Sequence, residues 1–211
     1  MLTVHHLRSS QSERIVWLCE ELGLDYDLKL YDRRADRRAP DDYKALHPMG
    51  IAPVIEDGGR VLGESGAICG YLNRKYGGGR MSPSPNDPDF TDYLFFVHWS
   101  NATFMASLMM QLAVRLTGGM DKPGAAFVNE RVERSWALAE RRVGDSEFFG
   151  GRKLTTADIM MVYILTTARA SAGPPLDAFP NIRTYLQRIG ARPAYQRAMA
   201  RAEPGSTPKL D

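Results

Sequence analysis

Apolar and polar positions change their period along the chain, and the change predicts two kinds of architecture. Leu2, Val4 and His6 alternate with Thr3, His5 and Leu7, a short strand pattern. A cluster of small polar residues follows, Ser9, Ser10, Gln11 and Ser12. Ile15, Leu18, Cys19 and Leu22 then recur at helical spacing, with Gly23 where a C-terminal cap belongs. Tyr26, Leu28 and Leu30 alternate with charged residues and predict a second strand. The basic stretch from Arg33 to Pro40 predicts a surface connection, and Asp41 to Leu46 a short helix ended by Pro48 and Gly50. A third strand is predicted over Pro53 to Glu56. Asp57, Gly58 and Gly59 are a hairpin signal, with Val61 and Leu62 in the partner strand. Ser65 then opens a helix carrying Ile68, Cys69, Leu72 and Tyr76 on one face.

The predicted order is β-α-β-α-β-β-α: a parallel pair from the first βαβ unit, extended by an antiparallel hairpin. Gly77 to Pro88, rich in Gly, Pro, Ser and Asn, is the strongest domain boundary. Beyond it the pattern is helical, over about 89–117, 124–143, 156–172, 181–190 and 194–202. The chain therefore divides into an α/β domain over 1–80 and an all-α domain over 89–211. The tail from Glu203 to Asp211, with two prolines and a glycine, predicts a loose end. Leu154-Thr155-Thr156-Ala157-Asp158-Ile159 has the form of a capping box, with Thr155 as N-cap, Asp158 at the third position and a Leu154/Ile159 staple.

Composition narrows the function classes. The 211 residues are 44% hydrophobic and 25% charged, an ordinary globular balance. With 27 basic and 25 acidic residues the net charge is +2, which argues against a nucleic-acid or membrane surface. The N-terminus lacks the apolar core of a signal peptide. The longest apolar run, Ile159 to Leu165, is far short of the ~20 residues that span a bilayer. Two cysteines, Cys19 and Cys69, form neither a CxxC motif, a metal cluster nor a disulfide framework, and predict a reducing, cytoplasmic location with no bound metal.

Three features carry candidate chemistry. The serine cluster stands at the end of the first strand and the start of a helix. Free N–H groups and the positive dipole end favour an anion there, and a hydroxyl can donate to a thiolate or phosphate. Ser10 or Ser12 serves equally well as a plain N-cap. In the second feature, HPMGIAPVIEDGG, Pro53 holds Ala52 extended. A cis Ala52–Pro53 bond would turn the Ala52 backbone outward to pair with an extended ligand; a trans bond would make Pro53 the start of an edge strand. In the third, Ser65 caps a helix whose N–H groups could hold a carboxylate, while Glu64 could pair with an amine. Together the three describe a site for an extended, peptide-like zwitterion at the edge of an open sheet.

With these residues the chain resembles the glutathione S-transferase family over nearly its whole length. The resemblance lies in HHLRSSQSERIVWLCEELGLDYDL, APDDYKALHPMGIAPVIEDGGRVLGESGAICGYLNRKYG and FPNIRTYLQRIGARPAYQRAM. It is closest to bacterial and fungal serine-type, theta-like members. It implies a thioredoxin-like N-terminal domain, an all-helical C-terminal domain, a cytoplasmic homodimer and a role in detoxification. Glutathione is the implied co-substrate and a small hydrophobic electrophile the second substrate. The family's serine maps on Ser10, four residues before Arg14, with Ser12 and Ser9 as alternatives. The cis proline maps on Pro53 and the γ-glutamyl pair on Glu64 and Ser65. Leu7, Phe104, Met105 and Leu108 are the implied lining of the hydrophobic site.

Two positions depart from the family pattern. Ile51 stands where relatives often carry a Lys for the glycine carboxylate, so Arg38 is expected to supply that charge, with Lys44 or His47 as alternatives. Asn101 stands where relatives often carry a Glu that reaches a partner's glutathione, which predicts weaker binding. Two other readings are a glutathione-dependent peroxidase or lyase, and a non-catalytic ligand-binding protein of the same fold. A thiol–disulfide oxidoreductase is disfavoured because Cys19 lies well inside the first helix.

Overall fold

The structure is a computed structural model that describes residues 1–211, save the side chains of Ser171 and Ala172. Its first part runs β1 (Leu2–Leu7), α1 (Glu13–Leu22), β2 (Asp27–Tyr31), α2 (Asp41–Lys44), β3 (Val54–Asp57), β4 (Arg60–Gly63) and α3 (Ser65–Lys75). The sheet order is β2-β1-β3-β4, with β1 and β2 parallel and the other pairs antiparallel. Val4 pairs with Leu28 on one side and Ile55 on the other, so β1 is central. That position explains why all six β1 residues are buried, although the pattern alternates. Leu2 and Val4 join the main core beneath the helices, while Leu7 packs with Tyr43 and Val54 beneath α2. Gly58 and Gly59, at φ 56° and 80°, make the hairpin turn, which needs positive φ at both positions. Gly23 closes α1 in the left-handed conformation.

The second part is helical: α4 (Phe90–Trp99), α5 (Ala106–Leu116), α6 (Pro123–Asp145), α7 (Thr156–Tyr163), α8 (Arg169–Ala172), α9 (Pro180–Gly190) and α10 (Pro193–Ala202). Two predicted continuous helices are interrupted by π-helical turns, Ser100–Met105 between α4 and α5 and Ile164–Ala168 between α7 and α8. The core runs on from the sheet through α1 into α7, α9 and α10, where Trp17 meets Tyr195 edge to face with centroids 5.1 Å apart. Glu21 and Glu20 of α1 are paired with Arg192, Arg197 and Arg201.

The capping box has both of its reciprocal bonds. The Ala157 N–H donates to Thr155 Oγ1 at 3.2 Å and the Thr155 N–H to Asp158 Oδ2 at 2.9 Å. Asp158 also accepts from the Phe149 N–H and the Tyr185 hydroxyl, each at 2.9 Å.

The tail is not loose. Glu203 accepts bonds from β1 and from the loop that follows it, and the Arg169 guanidinium donates to the carbonyls of Lys209 and Asp211. Among the described residues, no helix is long and apolar enough to cross a membrane, and no group of three or more His, Cys, Asp or Glu side chains could hold a metal.

Candidate functional site

The end of β1, the loops before α2 and β3, and the α5 and α7 regions surround a cavity of about 520 Å³. Its lining includes Leu7, Ser10, Gln11, Ile51 and Ala52 from the α/β part and Met105, Leu108, Met109, Leu112 and Tyr163 from the helical part. Arg33, Arg37, Arg38 and Lys44 stand at the same cavity, and among its described lining residues there is no carboxylate.

The three serines part company here. Ser10 lines the cavity, and its Oγ accepts from the Ser12 N–H at 3.2 Å, at the opening of α1. Ser12 occupies the N-cap position but makes no side-chain capping bond. It is wholly enclosed: its Oγ accepts from the Leu7 N–H at 3.0 Å and meets His6 Nδ1 at 2.8 Å. Ser9 is exposed with φ 53°, and its N–H donates to Glu203.

The Ala52–Pro53 bond is cis; Ala52 lines the cavity, while Pro53 is buried behind it. Arg38, Arg37 and Lys44 line the same cavity as Ile51, whereas His47 does not line it and packs its ring against Gly63. Lys44 is already paired with Asp41 at 3.0 Å. Arg33 donates to the carbonyls of Arg8, Ser9 and Arg37, at 2.9, 3.0 and 2.8 Å, and so pins the basic loop to the end of β1. The basic stretch was visible in the sequence, but this fastening role was not. Tyr163 carried no sequence signal for the site, and Gln11 none beyond its place in the serine cluster.

Glu64 and Ser65 do not line this cavity but adjoin it through Arg14. Glu64 is the residue that caps α3, at φ 67°, and Ser65 is the first helical residue rather than the cap. Arg14 is fully buried. Its Nη1 donates to Ser65 Oγ at 3.0 Å and to Asn101 Oδ1 at 2.9 Å, and also contacts the Gln11 side chain on the cavity wall. Its Nη2 donates to the Met160 carbonyl at 2.6 Å, and the guanidinium lies over the Tyr163 ring. Burial pushes Arg14 down to about 10, so it stays charged at neutral pH. Asn101 does not project outward; it donates to Ser65 Oγ at 3.1 Å.

One expected lining residue is displaced. Phe104 is 0% exposed and packs between Trp99 and Trp136, with centroids 5.0 and 5.2 Å away. The π turn at Ser100–Met105 adds a residue to the local repeat. Since each residue advances an α-helix by about 100°, this rotates Phe104 into the core and leaves Met105 and Leu108 on the cavity.

Residues 8–75 match the family described as glutathione S-transferase, N-terminal domain, and residues 104–193 match glutathione S-transferase, C-terminal domain. Glutathione S-transferase 3 of Schizosaccharomyces pombe is 31% identical, over 96% of this chain and 88% of its own. The chain belongs to the glutathione S-transferase family. A solved glutathione S-transferase from Actinobacillus pleuropneumoniae superimposes with a TM-score of 0.88 at 33% identity, covering 96% of this chain and 93% of that one. A sphingomonad glutathione S-transferase, solved in complex with glutathione, shares the fold at a TM-score of 0.77 and 20% identity, over 96% and 100% of the two chains. As a glutathione S-transferase the protein is an enzyme of glutathione conjugation, with a thioredoxin-like domain and a helical one.

Proposed function

We propose that the cavity binds glutathione beside Ser10 and that the protein joins the glutathione sulfur to a small hydrophobic electrophile. Glutathione lies along Ala52 and Ile51, its glycine carboxylate near Arg38 and its γ-glutamyl end toward Glu64 and Ser65. Leu7, Met105 and Leu108 receive the electrophile. In this reading residues 1–80 form the glutathione-binding domain and 89–211 complete the second site.

The chemistry required is small. A thiol of pKa ~8.5 is mostly protonated at neutral pH, and the thiolate is the nucleophile. Each unit of lowering requires about 1.4 kcal/mol of differential stabilisation. One charge-assisted hydrogen bond supplies roughly 1.5–3 kcal/mol. Ser10 is the donor, not the nucleophile: a sulfur–carbon bond forms on the electrophile as its leaving group departs. The observation that carries this reading is the Ser10 side chain, which lines the cavity at the N-terminus of α1. Dimerisation in a cytoplasmic setting is part of the same proposal, supported by the exposed Leu94, Phe95 and Phe127 on α4 and α6.

The test is retention on immobilised glutathione and turnover of a generic aryl halide, in wild type and Ser10→Ala. Retention with turnover in wild type and loss of turnover in the variant is the expected result. Equal turnover in the variant removes Ser10 from the mechanism. Retention without turnover of any electrophile in a broad panel favours a ligand-binding protein. That second reading draws on Ile51, which brings no charge, and on Asn101, which is engaged with Arg14 and Ser65.

A further inference from the structure

Behind Ser10 runs an unbroken line of polar contacts ending in a carboxylate. Ser10 Oγ is 2.7 Å from Ser12 Oγ, Ser12 Oγ is 2.8 Å from His6 Nδ1, and His6 Nε2 is 3.0 Å from Glu203 Oε1. His6 and Ser12 have no solvent exposure, so the line touches the cavity only at Ser10.

Burial opposes ionisation of Glu203, but the bonds from His6 and from the Ser9 N–H at 2.6 Å bring its carboxyl below its ordinary value. A carboxylate only accepts, so Nε2 of His6 carries a proton, and in the neutral imidazole Nδ1 is then bare. Ser12 has one proton to give. Nδ1 at 2.8 Å is a closer acceptor than the Leu7 carbonyl at 3.2 Å. Ser12 Oγ, already accepting from the Leu7 N–H, is then left to accept from Ser10. In this polarity the Ser10 proton points away from the cavity, the wrong way to hold a thiolate.

One proton moved along the line reverses it. We propose that His6, backed by Glu203, takes the thiol proton of bound glutathione through Ser10 and Ser12. The thiol S–H bond breaks and its proton goes to Ser10 Oγ; the Ser10 proton passes to Ser12 Oγ, and the Ser12 proton to His6 Nδ1. The electron pair stays on sulfur, both hydroxyls are regenerated, and the imidazolium lies against the Glu203 carboxylate. Every bond now points the other way: Nδ1–H donates to Ser12, Ser12 to Ser10, and Ser10 to the thiolate. His6 and Glu203 do not touch the substrate; they are positioning residues that act through Ser12. Once sulfur is consumed, the same path returns the proton to the cavity. The inference rests on the reading that glutathione binds with its sulfur at Ser10.

The test is the pH titration of the bound glutathione thiol, followed by the ultraviolet absorbance of the thiolate. Wild type, Glu203→Gln, His6→Gln and Ser10→Ala are compared. Glu203→Gln keeps an acceptor for His6 and Ser9 but removes the charge, so it reports the relay rather than packing. It also serves alone if the buried His6→Gln variant fails to fold. Arg8, paired with Asp32, Arg33, bonded to the Ser9 carbonyl, and Glu13 stand near this line, with the phenols of Tyr163 on the cavity and Tyr195 beside Glu13, which burial keeps neutral. Because burial pushes Glu13 up to about 8, the titrations are repeated in a Glu13→Gln background.

The expected result is a thiol titration displaced upward by roughly one pH unit or more in Glu203→Gln and His6→Gln. Affinity for S-methylglutathione, which has no thiol proton to give, is expected to be unchanged. Curves for Glu203→Gln and His6→Gln that superimpose on wild type, while Ser10→Ala shifts, overturn the relay and leave the Ser10 reading standing. Failure of the wild type to bind S-methylglutathione and glutathione overturns both.

Discussion

The Thr167 hydroxyl donates a hydrogen bond of 2.7 Å to the carboxyl of Glu13, joining the second π turn to the first turn of α1. Glu13 is only 4% exposed, and burial pushes its carboxyl up to about 8, with repulsion from Glu203 adding to the shift. A folded-state pKa above the unfolded value means that the native state holds the proton more tightly. Stability then falls as pH rises from about 4.5 to about 8, with a slope of up to about 1.4 kcal/mol per pH unit, and levels off above. Glu13→Gln keeps an acceptor for Thr167 and removes the titration. Denaturant midpoints measured across this window are expected to fall with pH in wild type and less steeply in the variant, which is the more stable at pH 8. Parallel profiles would show that Glu13 does not titrate there.

Asp158 satisfies more than a helix cap. Asp158→Ala strands the buried Phe149 N–H and Tyr185 hydroxyl as well as opening the box at Thr155. Each unpaired buried donor costs about 1–3 kcal/mol, so a loss on the order of 3 kcal/mol is expected, above the ~1 kcal/mol of a capping bond alone. Urea unfolding measures it, and a loss near 1 kcal/mol would mean that water reaches the stranded groups.

Ser65 Oγ accepts from both Arg14 and Asn101, and in the proposed reading its own hydroxyl proton is offered to the γ-glutamyl carboxylate. Asn101→Ala removes one of these two constraints and leaves Arg14 with one acceptor fewer. Glutathione affinity is expected to fall about tenfold, corresponding to ~1.4 kcal/mol. Calorimetric titration with glutathione checks this, and an unchanged Kd would separate Asn101 from the γ-glutamyl site.

Phe104 and Leu108 are predicted to behave oppositely. Phe104→Ala empties a packed site between two tryptophans and is expected to cost about 3–5 kcal/mol without altering the KM for an electrophile. Leu108→Ala is expected to raise that KM while costing less stability, since Leu108 borders open space. Paired melting curves and steady-state kinetics distinguish them.

The α/β half was largely legible because its signals are local. The strand period at Leu28 and Leu30, the cap at Gly23 and the turn at Gly58-Gly59 each depend on neighbouring residues. Leu7, Ser10, Arg38, Ile51, Ala52, Met105 and Leu108, all named from the sequence, meet at one cavity. What escaped depends on distance or on helix register. A π turn leaves almost no mark on apolar spacing, so Phe104 was expected on the wrong face. Glu203 stands almost two hundred positions from His6, and no periodicity links a tail rich in Pro and Gly to the first strand. Asn101 marked a departure from the family pattern, but its bonds to Arg14 and Ser65 come from tertiary packing alone.

Both cysteines are sealed in the core, and burial raises both thiols, Cys69 to about 12. The folded chain thus offers no competing thiol to an alkylating agent. A library of electrophiles can be screened against the intact protein with glutathione present, and every thioether mass recovered in the small-molecule fraction reports the chemistry of the cavity. A protein mass that stays constant throughout is the built-in control.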